Sequence, residues 1–92
     1  MRNVEITGPT KFGERPDADI FYVYFDCDCG KRMCVLGSPQ GSFQIGHTGV
    51  WKLDFNGDKL SLSPSIQFKS EGGGHPRDCH LNITDEPFVK ST

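Results

Sequence analysis

The sequence predicts an all-β fold, a small and mostly antiparallel sandwich or partly open barrel, and three observations lead to this prediction. The chain has 92 residues, the length of one domain. Its eleven glycines and six prolines interrupt any long helix. Its apolar residues alternate with polar ones over short segments, which is the period of a strand and not of a helix. We therefore expect residues 1–92 to form a single β domain.

The first half of the chain carries one strong strand and two weaker ones. Val4 and Ile6 alternate with polar residues and predict a short first strand. Residues 8–17 are rich in glycine, proline and charge, which predicts a loop. Residues 18–27 form a run of β-branched and aromatic side chains, typical of a strand buried on both faces. After a turn, residues 33–36 are expected to return antiparallel to it.

The second half of the chain predicts two hairpins. Residues 48–55 alternate, and the Asn56-Gly57 pair that follows is a strong signal for a two-residue type I′ turn. Residues 59–68 predict the return strand, which is at an edge or broken at Pro64 because proline cannot donate to a strand ladder. Residues 79–83 and 87–90 predict a last hairpin.

The predicted return strand has two chemically different faces. Its apolar face is expected to be buried, and its other face is rich in serine. The apolar set is Leu60, Leu62, Ile66 and Phe68, and the polar set is Ser61, Ser63, Ser65 and Gln67.

Composition excludes several classes of protein. Ten Lys and Arg against twelve Asp and Glu give a net charge of -2, without the basic excess of a nucleic-acid-binding face. The apolar runs are far shorter than the ~20 residues of a membrane-spanning helix, and the N-terminus has no apolar secretory signal. We therefore expect a cytoplasmic protein with no nucleic-acid or membrane partner. In a reducing cytoplasm, four cysteines are metal ligands more often than disulfides.

The four cysteines predict a metal site. Cys27, Cys29 and Cys34 lie within eight residues, and Cys79 is distant in sequence. Residues two apart on a strand share a face, so Cys27 and Cys29 can reach one ion, and Cys34 returns across the turn. With Cys79 they supply the four thiolates of a closed, structural zinc site, a staple suited to so short a chain. The alternatives are disulfides, with Cys27–Cys34 the easiest pair, or inert thiols.

The three histidines have different expectations. His47 lies in a Gly-rich segment and is expected to be a solvated loop residue, and His75 is either a loop residue or a substitute metal ligand. His80 directly follows Cys79, and because neighbours on a strand point to opposite faces, it is available for another role. Ser65 and the other serines of the polar face offer a hydroxyl partner. Sequence spacing alone does not establish such a pair, because its geometry is spatial.

The order of these motifs resembles a small family of zinc-binding proteins from bacterial and phage genomes. Relatives of that family occur in bacterial operons for ubiquitin-like conjugation. The resemblance runs from about residue 18 to residue 88. The matching residues are Cys27, Cys29, Gly30, Trp51, Asn56-Gly57, Ser63-Pro64-Ser65-Ile66 and Cys79-His80.

The resemblance implies a peptidase that cleaves at the tail of a ubiquitin-like protein. It would make Ser65 the nucleophile and His80 the base, with the cysteines holding a structural zinc ion. Two other functions stay open at this point. One is a non-catalytic zinc-binding module that binds a protein partner, such as a phage accessory or inhibitor protein. The other is a redox protein using the cysteines, although the chain lacks the C-x-x-C spacing of such proteins.

Overall fold

The structure, a computed structural model, describes residues 2–68 and 78–91. Over these ranges no helix is present, and so none could cross a membrane. The described residues form seven strands: β1 (Val4–Phe12), β2 (Arg15–Asp26), β3 (Arg32–Ser38), β4 (Phe43–Ile45), β5 (Thr48–Asn56), β6 (Lys59–Phe68) and β7 (Cys79–Lys90).

The strands form one mixed sheet that curls toward a ring. Its order is β3-β2-β1-β7-β6-β5-β4, and an additional pairing joins β3 to β5. The β1–β7 and β3–β5 pairs are parallel, and the other pairs are antiparallel. The all-β, mostly antiparallel and partly closed fold predicted above is therefore confirmed.

Two strands share one edge of β5. Val50 pairs with both β3 and β4, whereas Lys52 pairs with both β3 and β6. Because a strand has only two edges, β4 and β6 must follow one another along the edge that faces away from β3. The junction between β4 and β6 lies beside Trp51, and this position matters for the site described below.

The main core lies inside the curved sheet and confirms most of the predicted alternation. The apolar face of β6 is buried as predicted at Leu60, Leu62 and Ile66. Cys27 is part of this core, and Cys29, Trp51 and Cys79 pack against it. The main cluster of buried residues is Val4, Ile6, Phe21, Val23, Phe25, Cys27, Val35, Leu53, Leu60, Leu62, Ile66, Leu81 and Ile83.

The loop predicted for residues 8–17 was wrong. β1 continues to Phe12 and β2 begins at Arg15, so the segment is a twisted hairpin with register shifts. Most of its side chains are at least partly exposed, and polar ones pair within it, as in the 3.3 Å ion pair of Arg15 with Asp17. A loop and an exposed hairpin have a similar amino-acid composition, because the residues of both face solvent.

The last predicted hairpin was also wrong. Residues 79–90 form the single strand β7, which pairs with β6 and then, at its end, with β1. A register shift interrupts the β6 ladder, and Asp85 there has φ of 49°. The backbone N–H of Asp85 donates to Ser61 Oγ at 2.9 Å. Residues 84–86, which the sequence predicted to be the turn of a hairpin, therefore form a bulge and not a chain reversal.

The hairpin between β5 and β6 is confirmed, but its turn lies one residue further along. Asn56 pairs with Lys59, so the central residues are Gly57 and Asp58. Of these two, Gly57 has a positive φ, 66°, which is the type II′ pattern and not type I′. The predicted break at Pro64 is present, since pairing to β5 ends at Ser63 and the β7 ladder is irregular there.

Candidate functional site

A tight turn brings two cysteines together after β2. The Gly30 N–H donates to the Cys27 carbonyl at 2.8 Å, and the Cys27 N–H donates to the Lys31 carbonyl at 2.8 Å. Gly30 has φ of 93°, which glycine adopts without the steric cost of a Cβ atom. The turn therefore folds Cys29 back beside Cys27.

Cys79 reaches the same place from β7, the strand on the other edge of β1. Because β1 is antiparallel to β2 and parallel to β7, the end of β2 and the start of β7 extend past the same end of β1. The Sγ atoms of Cys27, Cys29 and Cys79 all lie within 4.8 Å of one another. Thiolates around one tetrahedral zinc ion are ~3.8 Å apart at a Zn–S distance of ~2.3 Å. The three residues therefore fit a metal ion, which we call the cysteine cluster.

Cys34 does not join the cysteine cluster. It lies on β3 opposite Tyr24 of β2 and is exposed, whereas its neighbours Met33 and Val35 face the core. Strand alternation therefore turns its thiol to the outer face of the sheet. Among the described residues, no fourth Cys, His, Asp or Glu side chain completes the cluster.

The chemistry of Cys34 differs accordingly. Desolvation by its neighbours raises the pKa of the Cys34 thiol, and a hydrogen bond with the Tyr24 side chain acts in the opposite direction. In the described ranges, which include all four cysteines, no disulfide is formed.

Polar bonds hold the turn of the cysteine cluster to the start of the chain. The Asn3 amide donates to Asp26 Oδ2 at 2.7 Å, and Arg32 donates to Asp26 Oδ1 at 3.1 Å. These two bonds, the Asn3 bond foremost, lower the pKa of the Asp26 carboxyl. Arg2 forms an ion pair with Asp28 at 2.8 Å. The residues that flank Cys27 are thus fixed on both sides.

Ser65 and His80 are brought together on the polar face of the sheet. Ser65 Oγ lies 2.6 Å from His80 Nε2. In the β6–β7 ladder His80 is directly opposite Gln67, so Ser65 is its diagonal neighbour. Asn82 is exposed on the same face, and within the described part of the chain it makes no hydrogen bond to the His80 ring. We call these two residues the Ser–His pair.

A groove opens beside Ser65 at the junction of β4 and β6. Its volume is about 320 Å³, and Trp51 and Pro64 are in its wall. The Trp51 indole N–H donates to the Ser65 carbonyl at 3.4 Å. Sequence reasoning missed the role of Trp51 and of β4 here. The signal available in the sequence was that Trp51 is the single tryptophan of the chain.

The other two histidines lie apart from this site or outside the described residues. His47 is exposed in the turn that joins β4 to β5, as expected for a solvated loop residue. His75, proposed from the sequence as a loop residue or substitute ligand, lies outside the described residues.

The fold and the cysteine cluster define a small all-β protein with a site able to hold a metal ion. Comparisons with protein-family models, with curated proteins and with solved structures found no match for the chain. Its function is therefore argued from the site residues themselves.

Proposed function

We propose that the protein is a zinc-stabilised Ser/His hydrolase of the peptidase class that cleaves at the tail of a ubiquitin-like protein. One observation carries the proposal: the 2.6 Å contact between Ser65 Oγ and His80 Nε2, located beside a groove. A hydroxyl becomes a nucleophile when a base lies within hydrogen-bond reach. The ubiquitin-like substrate is supported by the family resemblance of the motif order in residues 18–88.

The proposed reaction uses the pair in two stages. His80 Nε2 takes the proton from Ser65 Oγ as the oxygen attacks the carbonyl carbon of the peptide bond. The C–N bond breaks, and the leaving amine takes the proton from His80. Water then attacks the acyl-serine ester and gives a proton to His80; the ester C–O bond breaks, His80 returns that proton to Ser65 Oγ, and the acid product leaves. Residues 72–74 are all glycine, and our hypothesis from the sequence is that their backbone N–H groups serve as oxyanion donors; they lie outside the described residues.

The groove beside Ser65 suits an extended peptide. At about 320 Å³ it lies within the range of small-ligand sites, and it is bounded by β4 on one side and Pro64 on the other. A peptide tail in extended conformation places alternate side chains to the same side, so a shallow groove along a sheet can bind it.

The proposed zinc ion has a structural role. Cys27, Cys29 and Cys79 would hold it, since thiolates favour zinc in tetrahedral sites. When bound, the ion supplies a cross-link between the end of β2 and the start of β7. His80 is the residue after Cys79, so this cross-link also fixes the position of the imidazole ring that contacts Ser65.

The test is cleavage of a ubiquitin-like protein fused through its tail to a reporter. We expect Ser65→Ala and His80→Ala to lose cleavage to a similar degree, because members of one catalytic unit act non-additively. Ser63→Ala is the matched control, an exposed serine on the same strand, and it should retain cleavage. Cleavage that survives Ser65→Ala with folding and metal content intact would contradict the proposal.

A metal-stabilised binding module is the second candidate function. It is favoured by the exposure of His80, because a surface hydrogen bond can equally serve to contact a partner protein. A serine-directed fluorophosphonate separates the two functions. Labelling at Ser65 that depends on His80 supports the hydrolase, and no labelling of the folded, metal-loaded protein supports the binding module.

A further inference from the structure

We propose that a second groove in the structure holds a large apolar side chain of the peptide substrate and thereby determines specificity. This inference rests on the proposed function and assigns the substrate class more closely. The groove, called the apolar groove below, is formed by residues of β1, β2, β3 and β5. Its main lining residues are Phe12, Tyr22, Cys34, Leu36 and Trp51.

The chemistry of the apolar groove selects against polar side chains. Its wall consists mainly of aromatic and aliphatic groups. Its volume of about 400 Å³ is in the range of sites that bind small ligands and exceeds what one Leu or Phe side chain requires. Burying a large apolar side chain there removes its surface from water, which favours binding.

The apolar groove is connected to the groove at Ser65. Trp51 and Gly49 line both of them. An added Cβ atom at Gly49 would lie 3.6 Å from Cζ3 of Trp51, an ordinary van der Waals distance, so the indole ring lies close to this glycine. The two grooves meet at the indole and at a residue that has no side chain. A bound peptide can therefore cross the ring and occupy both grooves.

The distance between the two grooves determines which substrate residue can reach the apolar groove when the cleaved bond lies at Ser65. The Trp51 indole N–H bonds to the Ser65 carbonyl, and the same residue lines the apolar groove. An extended peptide advances ~3.3 Å per residue, and the ring spans about two such steps. We therefore expect an apolar side chain about two residues away from the bond at Ser65.

Trp51 gives a binding signal that does not depend on cleavage. It is the single tryptophan, so its fluorescence reports on both grooves. The experiment uses the full chain, zinc-loaded, with Ser65→Ala, and titrates tryptophan-free ten-residue peptides. The peptides differ in one position, Leu or Ser, placed two residues before or after the central bond. We expect the Leu peptide of one pair to bind roughly tenfold more tightly or better than its Ser partner.

A pair of variants at Cys34 tests the groove itself. Cys34 is exposed and outside the cysteine cluster, so both variants should fold and keep their metal. Cys34→Arg places a charge in the apolar groove and should abolish the preference for Leu, whereas Cys34→Ala should retain it. Equal affinity for the Leu and Ser peptides, or a preference that persists in Cys34→Arg, would overturn the assignment.

The outcomes also separate this inference from the proposed function. Cleavage by the wild-type protein without any dependence on the Leu position rejects the apolar groove as a subsite and leaves the hydrolase standing. The opposite outcome is a preference for the Leu peptide that is lost in Cys34→Arg, together with no cleavage by the wild-type protein. It supports the apolar groove as a peptide site and rejects the hydrolase.

Discussion

Ser65 and His80 are diagonal neighbours across the β6–β7 ladder, and their side chains meet at 2.6 Å although Gln67 is the residue opposite His80. The contact depends on strand register, because a slip of one residue would turn one of the two side chains to the core face. Buried Ile66 and Leu81, which pair directly, oppose such a slip. The apolar face of the ladder thus maintains the polar contact on its other face.

The first prediction concerns the ligand set of the cysteine cluster. Purified protein should contain about one zinc ion per chain, and Cys34→Ala should retain it because that thiol lies on the outer face. Cys27→Ala should lose the metal and unfold, since structural zinc contributes directly to folding. Metal analysis and thermal melting measure both effects. Loss of metal in Cys34→Ala would return Cys34 to the ligand set.

The second prediction separates two adjacent residues of β7. Cys79→Ala should abolish metal retention, whereas His80→Ala should leave the metal content intact, because His80 Nε2 contacts Ser65 on the other face. Zinc content after gel filtration is the measurement. The reverse result, metal lost in His80→Ala and kept in Cys79→Ala, would show that the histidine is the ligand.

The third prediction concerns the Cys34 thiol. In metal-loaded protein, Cys34 should be the first cysteine to react with iodoacetamide, because it is exposed and outside the cluster. Since its pKa is raised, its thiolate fraction at neutral pH is low, and the reaction should keep accelerating as pH rises beyond the range of an ordinary thiol. Mass spectrometry identifies the modified residue. A chelator should then make the other three cysteines reactive as well.

The fourth prediction treats Trp51 as a positioning residue for Ser65. Trp51→Phe keeps an aromatic ring but removes the N–H that donates to the Ser65 carbonyl at 3.4 Å. Loss of this hydrogen bond should lower the free energy of unfolding by about 1 kcal/mol. If Ser65 is the nucleophile, kcat should fall more than KM changes. A change in KM alone would assign Trp51 to substrate binding and not to the position of Ser65.

The fifth prediction concerns the turn between β5 and β6. Gly57 has φ of 66°, so Gly57→Val should destabilise the fold by about 1–3 kcal/mol through backbone strain. Gly13→Val is the matched control in another turn. An added Cβ at Gly13 meets no atom within 4 Å and no positive φ is required there, so its effect should be within about 0.5 kcal/mol. Urea unfolding measures both, and equal effects would contradict the assigned turn.

Local periodicity was sufficient to predict several elements. The bounds of β6 were predicted correctly, and those of β2 and β5 to within three residues, because an alternating or continuous apolar run reports burial directly. The close spacing of Cys27 and Cys29 and the remote Cys79 indicated a shared metal site, and these three residues do form one cluster, although a turn after β2 and not a shared strand face brings Cys27 and Cys29 together. The alternation of Cys79 and His80 likewise predicted that they serve different faces.

The wrong predictions concern features that depend on pairing with another strand. Cys34 has the right spacing to return toward Cys27, but the register of β3 against β2 turns it outward. Loop-like composition hid the hairpin before Arg15, and a bulge at Asp85 imitated a turn.

The sequence by itself determined which segments are strands and which residue types carry chemistry, because those depend on neighbours two residues apart. Only the tertiary structure decided how β3 meets β5, which cysteine is left out of the cysteine cluster, and that Trp51 lines both the groove beside Ser65 and the apolar groove. These features arise from pairing between segments far apart in the chain. Their free energy comes from burial shared by several strands, and no local pattern encodes it.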